Sequence, residues 1–244
     1  MKRTFADLHL RLNNKDPAQT AKLAAKASEL GYKLVATSLA LETGPETIRQ
    51  IKAVYKDVGL DFASRVDLRP RNQNELLSLV RKLRRRFEII CVLCENKEVA
   101  RQAAKDRRVD LLNFPLLDYR RRFFDQAEAE LASGGVAAFE IEMKPLLVLE
   151  GPARVRFLSC LRREVAVALD YRLPIVVSSG VSEQLLLRKP REMALLSSLL
   201  GLEGATALDA VSSNPMEIVA RNRDKLGTKF VAPGIRLIKQ GEDC

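Results

Sequence analysis

The chain has 244 residues, of which 41 are Lys or Arg and 31 are Asp or Glu, so its formal net charge at pH 7 is +10. With 47% hydrophobic residues it can fill one full core, and no run approaches the roughly 18 apolar residues that a membrane span needs. Four scattered cysteines exclude a disulfide framework and predict a cytoplasmic protein.

Short apolar runs rich in β-forming residues alternate with helical patterns along most of the chain. The predicted strands are residues 4–10, 33–38, 61–66, 88–94, 110–114, 137–143 and 174–179. Their ends lie about 21 to 36 residues apart, close to the roughly 30 residues of one strand–helix unit in a (β/α) barrel. We therefore predict an α/β fold: a single-domain, incomplete TIM-like barrel of about seven parallel strands over residues 1–239, followed by a disordered tail at 240–244.

Helix signals fill the intervals between these strands. Asp16 and Pro17 predict the start of the first helix and Gly31 its end, while Gly59 closes the second. After the seventh strand the repeat decays into further helices, the last one opening at Asn214. An eighth strand is not obvious, although residues 229–231 or 235–238 could supply a short edge strand.

Cys91 and Cys94 form a C-x-x-C motif within the fourth predicted strand. Side chains alternate between the two faces of a strand, so residues three apart point in opposite directions. The two thiols could not share one metal ion without breaking the strand. We predict two buried core cysteines.

Basic residues follow several of the predicted strands, in the loops where parallel α/β folds carry their function. They are Arg11, Lys15, Arg69, Arg71, Arg120, Arg121, Arg122, Lys144, Arg188, Lys189 and Arg191. We expect them on one face, which could track a phosphate backbone while Tyr119 or Phe123 stacks on a base. The alternative is a solvated cationic rim with no specific partner.

A second cationic set is predicted at helix ends on the opposite face. It comprises Arg84, Arg85, Arg86, Arg107, Arg108 and Arg172. The first three complement the dipole of their helix, which favours a structural role for them. The sequence leaves open which face meets a polyanion.

His9 is the only histidine, and period-two alternation predicts that it shares a face of the first strand with Asp7. This D-x-H pattern resembles the opening of the polymerase and histidinol phosphatase superfamily of barrel metalloenzymes. Only carboxylates could complete a metal site here, and the candidates are Asp67, Glu95, Glu140 and Glu142. We predict no metal site, with Asp7 and His9 as vestiges of one; the alternative function is a metal-dependent phosphoesterase that uses both.

A second alternative is a phosphate-binding barrel enzyme of small-molecule metabolism. Residues 178–180, with the sequence SSG, would then form an anion cradle after the seventh strand. Such enzymes usually have a glycine-rich loop there, and this chain offers only Gly180. We predict instead that Gly180 makes a tight turn from strand to loop.

Five segments complete the sequence pattern: 5–9 (FADLH), 143–147 (MKPLL), 176–180 (VVSSG), 188–193 (RKPREM) and 213–219 (SNPMEIV). In this order they resemble the archaeal ribonuclease P protein component 3 family, whose eukaryotic relatives are shared by ribonucleases P and MRP. The resemblance spans nearly the whole chain. It implies a barrel with the topology of metal-dependent phosphoesterases that lacks their metal site.

The resemblance also implies a function. The chain would be a non-catalytic subunit of the ribonuclease P holoenzyme (EC 3.1.26.5), which removes 5′ leaders from precursor tRNA with an active site in its RNA. Its partners would be ribonuclease P RNA, protein component 2, other protein subunits and, indirectly, precursor tRNA. It would hold no cofactor itself, Mg²⁺ being expected with the RNA, and would contact no membrane.

RNA-binding positions follow from the same resemblance, carried over residue by residue. They are Arg101, Arg120, Arg121, Arg122, Arg188 and Lys189. Lys144 and Arg191 join them as basic residues of the loops that follow strands six and seven. We assign no catalytic residue to this chain.

Overall fold

Seven parallel strands, hydrogen-bonded to one another in chain order, form the sheet of this protein. The computed structural model describes residues 3–12, 17–115, 123–232 and 235–237. The strands are β1 (Ala6–Arg11), β2 (Leu34–Leu39), β3 (Asp61–Leu68), β4 (Ile89–Leu93), β5 (Leu111–Asn113), β6 (Ala138–Glu142) and β7 (Ile175–Ser178). All seven predicted strands are thus confirmed.

Helices connect the strands and cover the outside of the sheet. They are α1 (Pro17–Glu29), α2 (Pro45–Asp57), α3 (Gln73–Leu83), α4 (Lys97–Lys105), α5 (Gln126–Ser133), α6 (Lys144–Val148), α7 (Gly151–Asp170), α8 (Pro190–Ser197), α9 (Gly204–Asp209) and α10 (Ser213–Leu226). Gly31 and Gly59 have positive φ angles of 94° and 75°, as helix ends at glycine require. None of the described helices is both long and apolar enough to cross a membrane.

The sheet curls into a nearly closed barrel, with β7 returning to β1. At the carboxyl end of the strands the N–H of Arg11 donates to the carbonyl of Val181 at 2.9 Å. At the amino end, residues 210–211 take the eighth place, because their carbonyls accept the N–H groups of Val177 (2.9 Å) and Ala6 (3.0 Å). The predicted incomplete barrel is confirmed.

The two segments considered for an eighth strand do not join the barrel sheet. They form β8 (Phe230–Ala232) and β9 (Ile235–Arg236), which pair with each other in antiparallel fashion. The tail predicted at 240–244 lies outside the described residues.

Strand alternation divides the core into an inner and an outer layer. Residues from alternate positions fill the amino-terminal half of the barrel interior, among them Leu8, Ala36, Ala63, Ile89, Cys91 and Val176. Residues of opposite parity pack against the helices, and Cys94 lies there, near Val99 and Leu112. The prediction that Cys91 and Cys94 are buried on opposite faces is confirmed.

Helix α10 closes the amino-terminal mouth of the barrel. Ile218 and Val219 pack into the inner layer. Asn222 Nδ2 donates to the carbonyl of Glu88 at 2.8 Å, just before β4 begins. Arg223 Nη2 donates to Asp61 Oδ1 at 3.0 Å and to the carbonyl of Phe62 at 2.8 Å, at the start of β3. Burial in this position lowers the pKa of Arg223, but Asp61 and Glu88 outweigh it and raise that pKa.

Replacement of Arg223 should weaken this closure. We expect Arg223→Ala to lower the free energy of unfolding by about 1–3 kcal/mol, because Asp61 and Glu88 lose their shared guanidinium partner. Arg236→Ala is the control, since its exposed pair with Asp224 should contribute less than about 0.5 kcal/mol. Urea denaturation measures both, and equal losses would contradict a clamping role for Arg223.

Candidate functional site

The carboxyl-terminal half of the barrel interior contains a buried guanidinium. Arg65 projects from β3, has 0% exposure, and makes four side-chain hydrogen bonds. Its Nη1 and Nη2 grip the Glu140 carboxylate at 2.5 and 2.7 Å, and its Nε donates to Asp67 Oδ1 at 2.7 Å. The fourth bond goes from Nη1 to the carbonyl of Leu8 at 2.8 Å. Arg65 therefore joins β1, β3 and β6 across the barrel.

Three further side chains complete the surroundings of Glu140. Ser178 Oγ donates to Oε1 at 2.7 Å, Asn113 Nδ2 donates to Oε2 at 2.9 Å, and Cys91 Sγ lies 3.6 Å from Oε2. Burial by itself would raise the pKa of Glu140. The Arg65 guanidinium outweighs burial and holds that pKa below its ordinary value, so Glu140 is a carboxylate at neutral pH.

His9 lies between two carboxylates at the edge of this cluster. Its Nε2 is 3.3 Å from Asp67 Oδ2, and its Nδ1 is 3.0 Å from Glu142 Oε1, although neither N–H points squarely at its oxygen. Burial and the Arg65 charge lower the pKa of His9. The two carboxylates outweigh them and raise it to about 9. At neutral pH His9 is therefore an imidazolium ion.

Glu142 also faces Arg11 at the carboxyl mouth of the barrel. Arg11 Nη2 lies 2.9 Å from both carboxylate oxygens of Glu142. Burial raises the pKa of Glu142, but His9 and Arg11 lower it to about 2. Arg11, Arg65 and His9 thus supply three positive charges to the carboxylates of Asp67, Glu140 and Glu142.

This arrangement does not suit a metal ion. The candidate ligands Asp67 and Glu140 converge on the Arg65 guanidinium. His9 lies between Asp67 and Glu142 instead. A metal ion would also have to displace the proton of His9, whose pKa is raised. Among the described residues, no three His, Cys, Asp or Glu side chains are arranged to hold one. Glu95, the remaining candidate, instead lies 3.8 Å from Arg69.

The prediction that Asp7 and His9 share a strand face is wrong. Between Asp7 and Leu10 the pairing of β1 with β2 shifts register, since three steps along β1 match two along β2. Because of this bulge, the consecutive side chains of Leu8 and His9 both face the barrel interior. The Asp7 carboxylate instead accepts the backbone N–H groups of His9 (3.0 Å) and Ser179 (3.1 Å).

Residues 178–180 form a turn whose polar groups are already used. The N–H of Ser179 donates to Asp7, and the N–H of Gly180 donates to the carbonyl of His9 at 2.9 Å. Gly180 has a φ of +68°, and a Cβ at that position would lie 2.9 Å from Glu142 Oε2. The predicted tight turn is confirmed, and its bonded N–H groups are not available to cradle a phosphate.

The residues predicted to bind RNA do not form one cluster. Arg101, on α4, pairs through Nε with the buried Glu128 at 3.1 Å while 48% of its side chain stays exposed. Lys144 opens α6 directly after β6, at the carboxyl end of the barrel. Arg120, Arg121 and Arg122 lie outside the described residues.

The other three predicted residues lie toward the opposite end of the barrel. The carbonyl of Arg188 accepts the hydroxyl of Tyr32 at 3.0 Å, and the guanidinium of Arg191 lies 5.9 Å from the centre of the Phe5 ring. Phe5 precedes β1 and Tyr32 precedes β2, so the chain has descended along α1 to the amino end. Lys189 is exposed between them. The expectation of a single basic face is therefore wrong for this segment.

Arg65 is the residue that the sequence analysis missed. It falls inside the third predicted strand, where it interrupts an apolar run. Its parity relative to Ala63 and Asp67 places it inward, which is a signal that the sequence does carry. An arginine at an inward position of a barrel strand needs buried carboxylates, and Glu140 and Asp67 provide them.

These features define a class: a (β/α) barrel in which an arginine and a histidinium occupy the space between the interior carboxylates. A chain from the cryo-EM structure of archaeal ribonuclease P with mature tRNA has this fold, with a TM-score of 0.83 and 22% identity over 98% of this chain and 100% of that one. A putative prolidase from Bifidobacterium longum aligns at a TM-score of 0.55 and 13% identity, over 91% of this chain and 70% of its own.

The family is shown by sequence. The model of the family RNase P subunit p30 matches residues 4–226. Ribonuclease P protein component 3 of Methanosarcina barkeri is 31% identical over 222 residues, covering 91% of this chain and 90% of its own, and that of Methanosarcina mazei is 31% identical over 223. The chain belongs to the RNase P subunit p30 family, which confirms the resemblance read from its motifs.

Removal of Arg65 should be severely destabilising. We expect Arg65→Met to lower the free energy of unfolding by about 3–5 kcal/mol, because Glu140 and Asp67 remain buried and charged without their partner. Arg65→Met/Glu140→Gln should recover part of this loss. Arg69→Met, an exposed arginine near the same strand end, should cost less than about 0.5 kcal/mol. Similar urea midpoints for Arg65→Met and Arg69→Met would contradict the central role of Arg65.

His9 should make stability depend on alkaline pH. Its pKa of about 9 in the folded chain lies above the ordinary unfolded value near 6.5. The stabilisation is fully present below about pH 6.5 and is lost as pH rises through 9, an effect of about 3 kcal/mol. Unfolding of wild type and His9→Gln at pH 6 to 10 measures it. A stability difference that stays constant over this range would refute the charged state of His9.

Proposed function

We propose that this chain is a non-catalytic protein subunit of ribonuclease P, which binds the catalytic RNA and supports the removal of 5′ leaders from precursor tRNA. One observation carries the proposal: the RNase P subunit p30 family model matches residues 4–226, nearly the whole folded chain. Relatives named ribonuclease P protein component 3 align with this chain over about 90% of their own length.

The non-catalytic part of the proposal is supported by the barrel centre. Arg65 neutralises the carboxylates that would bind a metal or act as a general base, and His9 is a cation at neutral pH. Among the described residues of that centre, Asp67, Glu140 and Glu142 are all paired with cations, which disfavours them as bases that activate water. The chemistry of the holoenzyme (EC 3.1.26.5) then belongs to its RNA, with the Mg²⁺ that accompanies it.

The partners follow from this role: ribonuclease P RNA, protein component 2, the other protein subunits and, through them, precursor tRNA. The cytoplasm, where such an assembly meets its substrate, is the compartment that we propose. The net charge of +10 favours the RNA contact, since each neutralised phosphate releases a counterion.

Reconstitution of the holoenzyme tests this function. Ribonuclease P RNA and the other protein subunits should cleave precursor tRNA faster with this chain than without it, and the chain alone should cleave nothing. Cleavage that is unaffected by the chain would disprove the subunit role. Cleavage by the chain alone that disappears in His9→Ala would favour the phosphoesterase alternative.

The proposed RNA contacts can be tested in the same assay. Arg120→Ala/Arg121→Ala/Arg188→Ala should lower cleavage by at least about tenfold at 0.2 M salt and less at low salt, because phosphate contacts weaken with ionic strength. Lys22→Ala/Lys52→Ala/Lys56→Ala removes the same charge from α1 and α2 and serves as control. Equal activity of the two triple variants at every salt concentration would remove these arginines from the RNA-binding site.

A further inference from the structure

A wide groove opens at the amino-terminal end of the barrel, beside the end of α10. We call it the amino-terminal groove; its volume of about 600 Å³ falls within the range of ligand-binding sites. It is lined by the α3–β4 connection, the α4–β5 connection and the chain that leads from α10 into β8. The lining residues used below are Arg84, Arg85, Arg107, Arg108, Lys225 and Phe230.

Two of the five cations that line the amino-terminal groove have structural partners. Arg84 binds Asp110 and donates to the carbonyls of Phe87 (2.8 Å) and Glu88 (2.7 Å), so it holds the start of β4. Arg108 makes a two-point contact with Asp106 at 2.9 and 2.6 Å.

The other three cations, Arg85, Arg107 and Lys225, are exposed to solvent. Within the described residues none of them forms a hydrogen bond or an ion pair through its side chain. The interior of this protein therefore does not require them, unlike Arg84, Arg108 and Arg65.

The field in the groove is positive even after its opposing charges are counted. Five lining cations face two carboxylates, Asp106 and Asp110, which leaves an excess of three charges. Three helices, α3, α4 and α10, end here, and each carbonyl end contributes about half a negative charge. They offset about half of that excess. Burial and the guanidinium groups of Arg221, Arg84 and Arg107 lower the pKa of Lys225, as expected in such a field.

The chemistry of the groove fits a phosphodiester backbone better than an acidic peptide. Arginine forks match the two free oxygens of a phosphate, and an open groove admits a continuous strand. Phe230 lies half-buried in the lining and offers an aromatic face on which an unpaired base can stack. A carboxylate side chain would use the cations but not the ring.

We propose that the amino-terminal groove binds the sugar–phosphate backbone of RNA through Arg85, Arg107 and Lys225, with Phe230 as a stacking surface for a base. This site lies at the opposite end of the barrel from Lys144, and it rests on the proposed function, which supplies the RNA. The RNA is then held at the amino-terminal end of the barrel by Arg85 and Arg107, in connections that precede strands, and by Lys225 at the end of α10. Function in a (β/α) barrel is usually expected in the loops that follow the strands.

Fluorescence anisotropy can test the groove by measuring the affinity of this chain for its cognate ribonuclease P RNA, transcribed in vitro. The affinity is measured between about 0.05 and about 0.3 M salt. Arg85→Ala/Arg107→Ala/Lys225→Ala should lose at least about tenfold in affinity at about 0.1 M salt. The slope of log affinity against log salt should decrease by about 2 to 3, which corresponds to three lost phosphate contacts. Arg85→Lys/Arg107→Lys keeps the charge and should restore most of that slope.

Lys22→Ala/Lys52→Ala/Lys56→Ala removes three exposed charges elsewhere and is the matched control. Equal affinity and slope for the two triple variants would overturn the groove as an RNA site and leave the subunit function standing. Unchanged RNA binding combined with lost binding to a polyglutamate peptide would assign the groove to an acidic protein segment and also overturn the proposal. Failure of the wild-type chain to bind the RNA would overturn the proposed function itself.

Discussion

The bidentate contact between Arg65 and Glu140 is the interaction on which the barrel centre depends. A guanidinium with no exposed surface is tolerated only where carboxylates surround it, because an isolated buried charge costs several kcal/mol. Glu140 and Asp67 meet that need, and Ser178 and Asn113 satisfy the remaining oxygen positions of Glu140. Compared with an apolar filling, such a network adds little net stability, but each member becomes costly to remove alone.

The same network decides what the barrel can do. In a metal-dependent barrel, a metal cation balances the charge of the interior carboxylates. Here the Arg65 guanidinium balances the charge of Asp67 and Glu140. Asp67 and Glu142 favour the protonated form of His9 over the neutral one. The barrel keeps three carboxylates near its centre, and each of them is paired with a cation.

The arginines of this chain fall into two groups, one paired within the protein and one exposed. Arg65, Arg84, Arg221 and Arg223 are tied to carboxylates and carbonyls and hold strands and α10 together. Arg85, Arg107 and the exposed part of Arg101 are left for solvent or a ligand. Net charge alone cannot separate these uses, because a paired and an unpaired arginine count equally in a composition.

Much of the fold could be predicted from the sequence because it depends on local patterns. The seven strands, the helix ends at Gly31 and Gly59 and the separation of Cys91 from Cys94 all follow from short-range alternation and backbone preference. The candidate site could be predicted only in part. The family motifs predicted an RNA-binding subunit without a metal site, yet Arg65, which lies between the interior carboxylates, was not among the candidates.

The sequence by itself determined the barrel, the family and the lack of histidine ligands, since each of these is written in residue types and their spacing. Tertiary structure alone decided three other features. The bulge in β1 placed His9 on a different face of the strand from Asp7. The path of residues 182–189 along α1 brought Arg188 and Arg191 to the amino end of the barrel. The third feature is the pairing of Arg65 with Glu140. The physical reason is that these features depend on what packs nearby in space, which no local pattern encodes. This holds for a one-residue register shift, for the path of a loop and for the pairing of charges 75 positions apart.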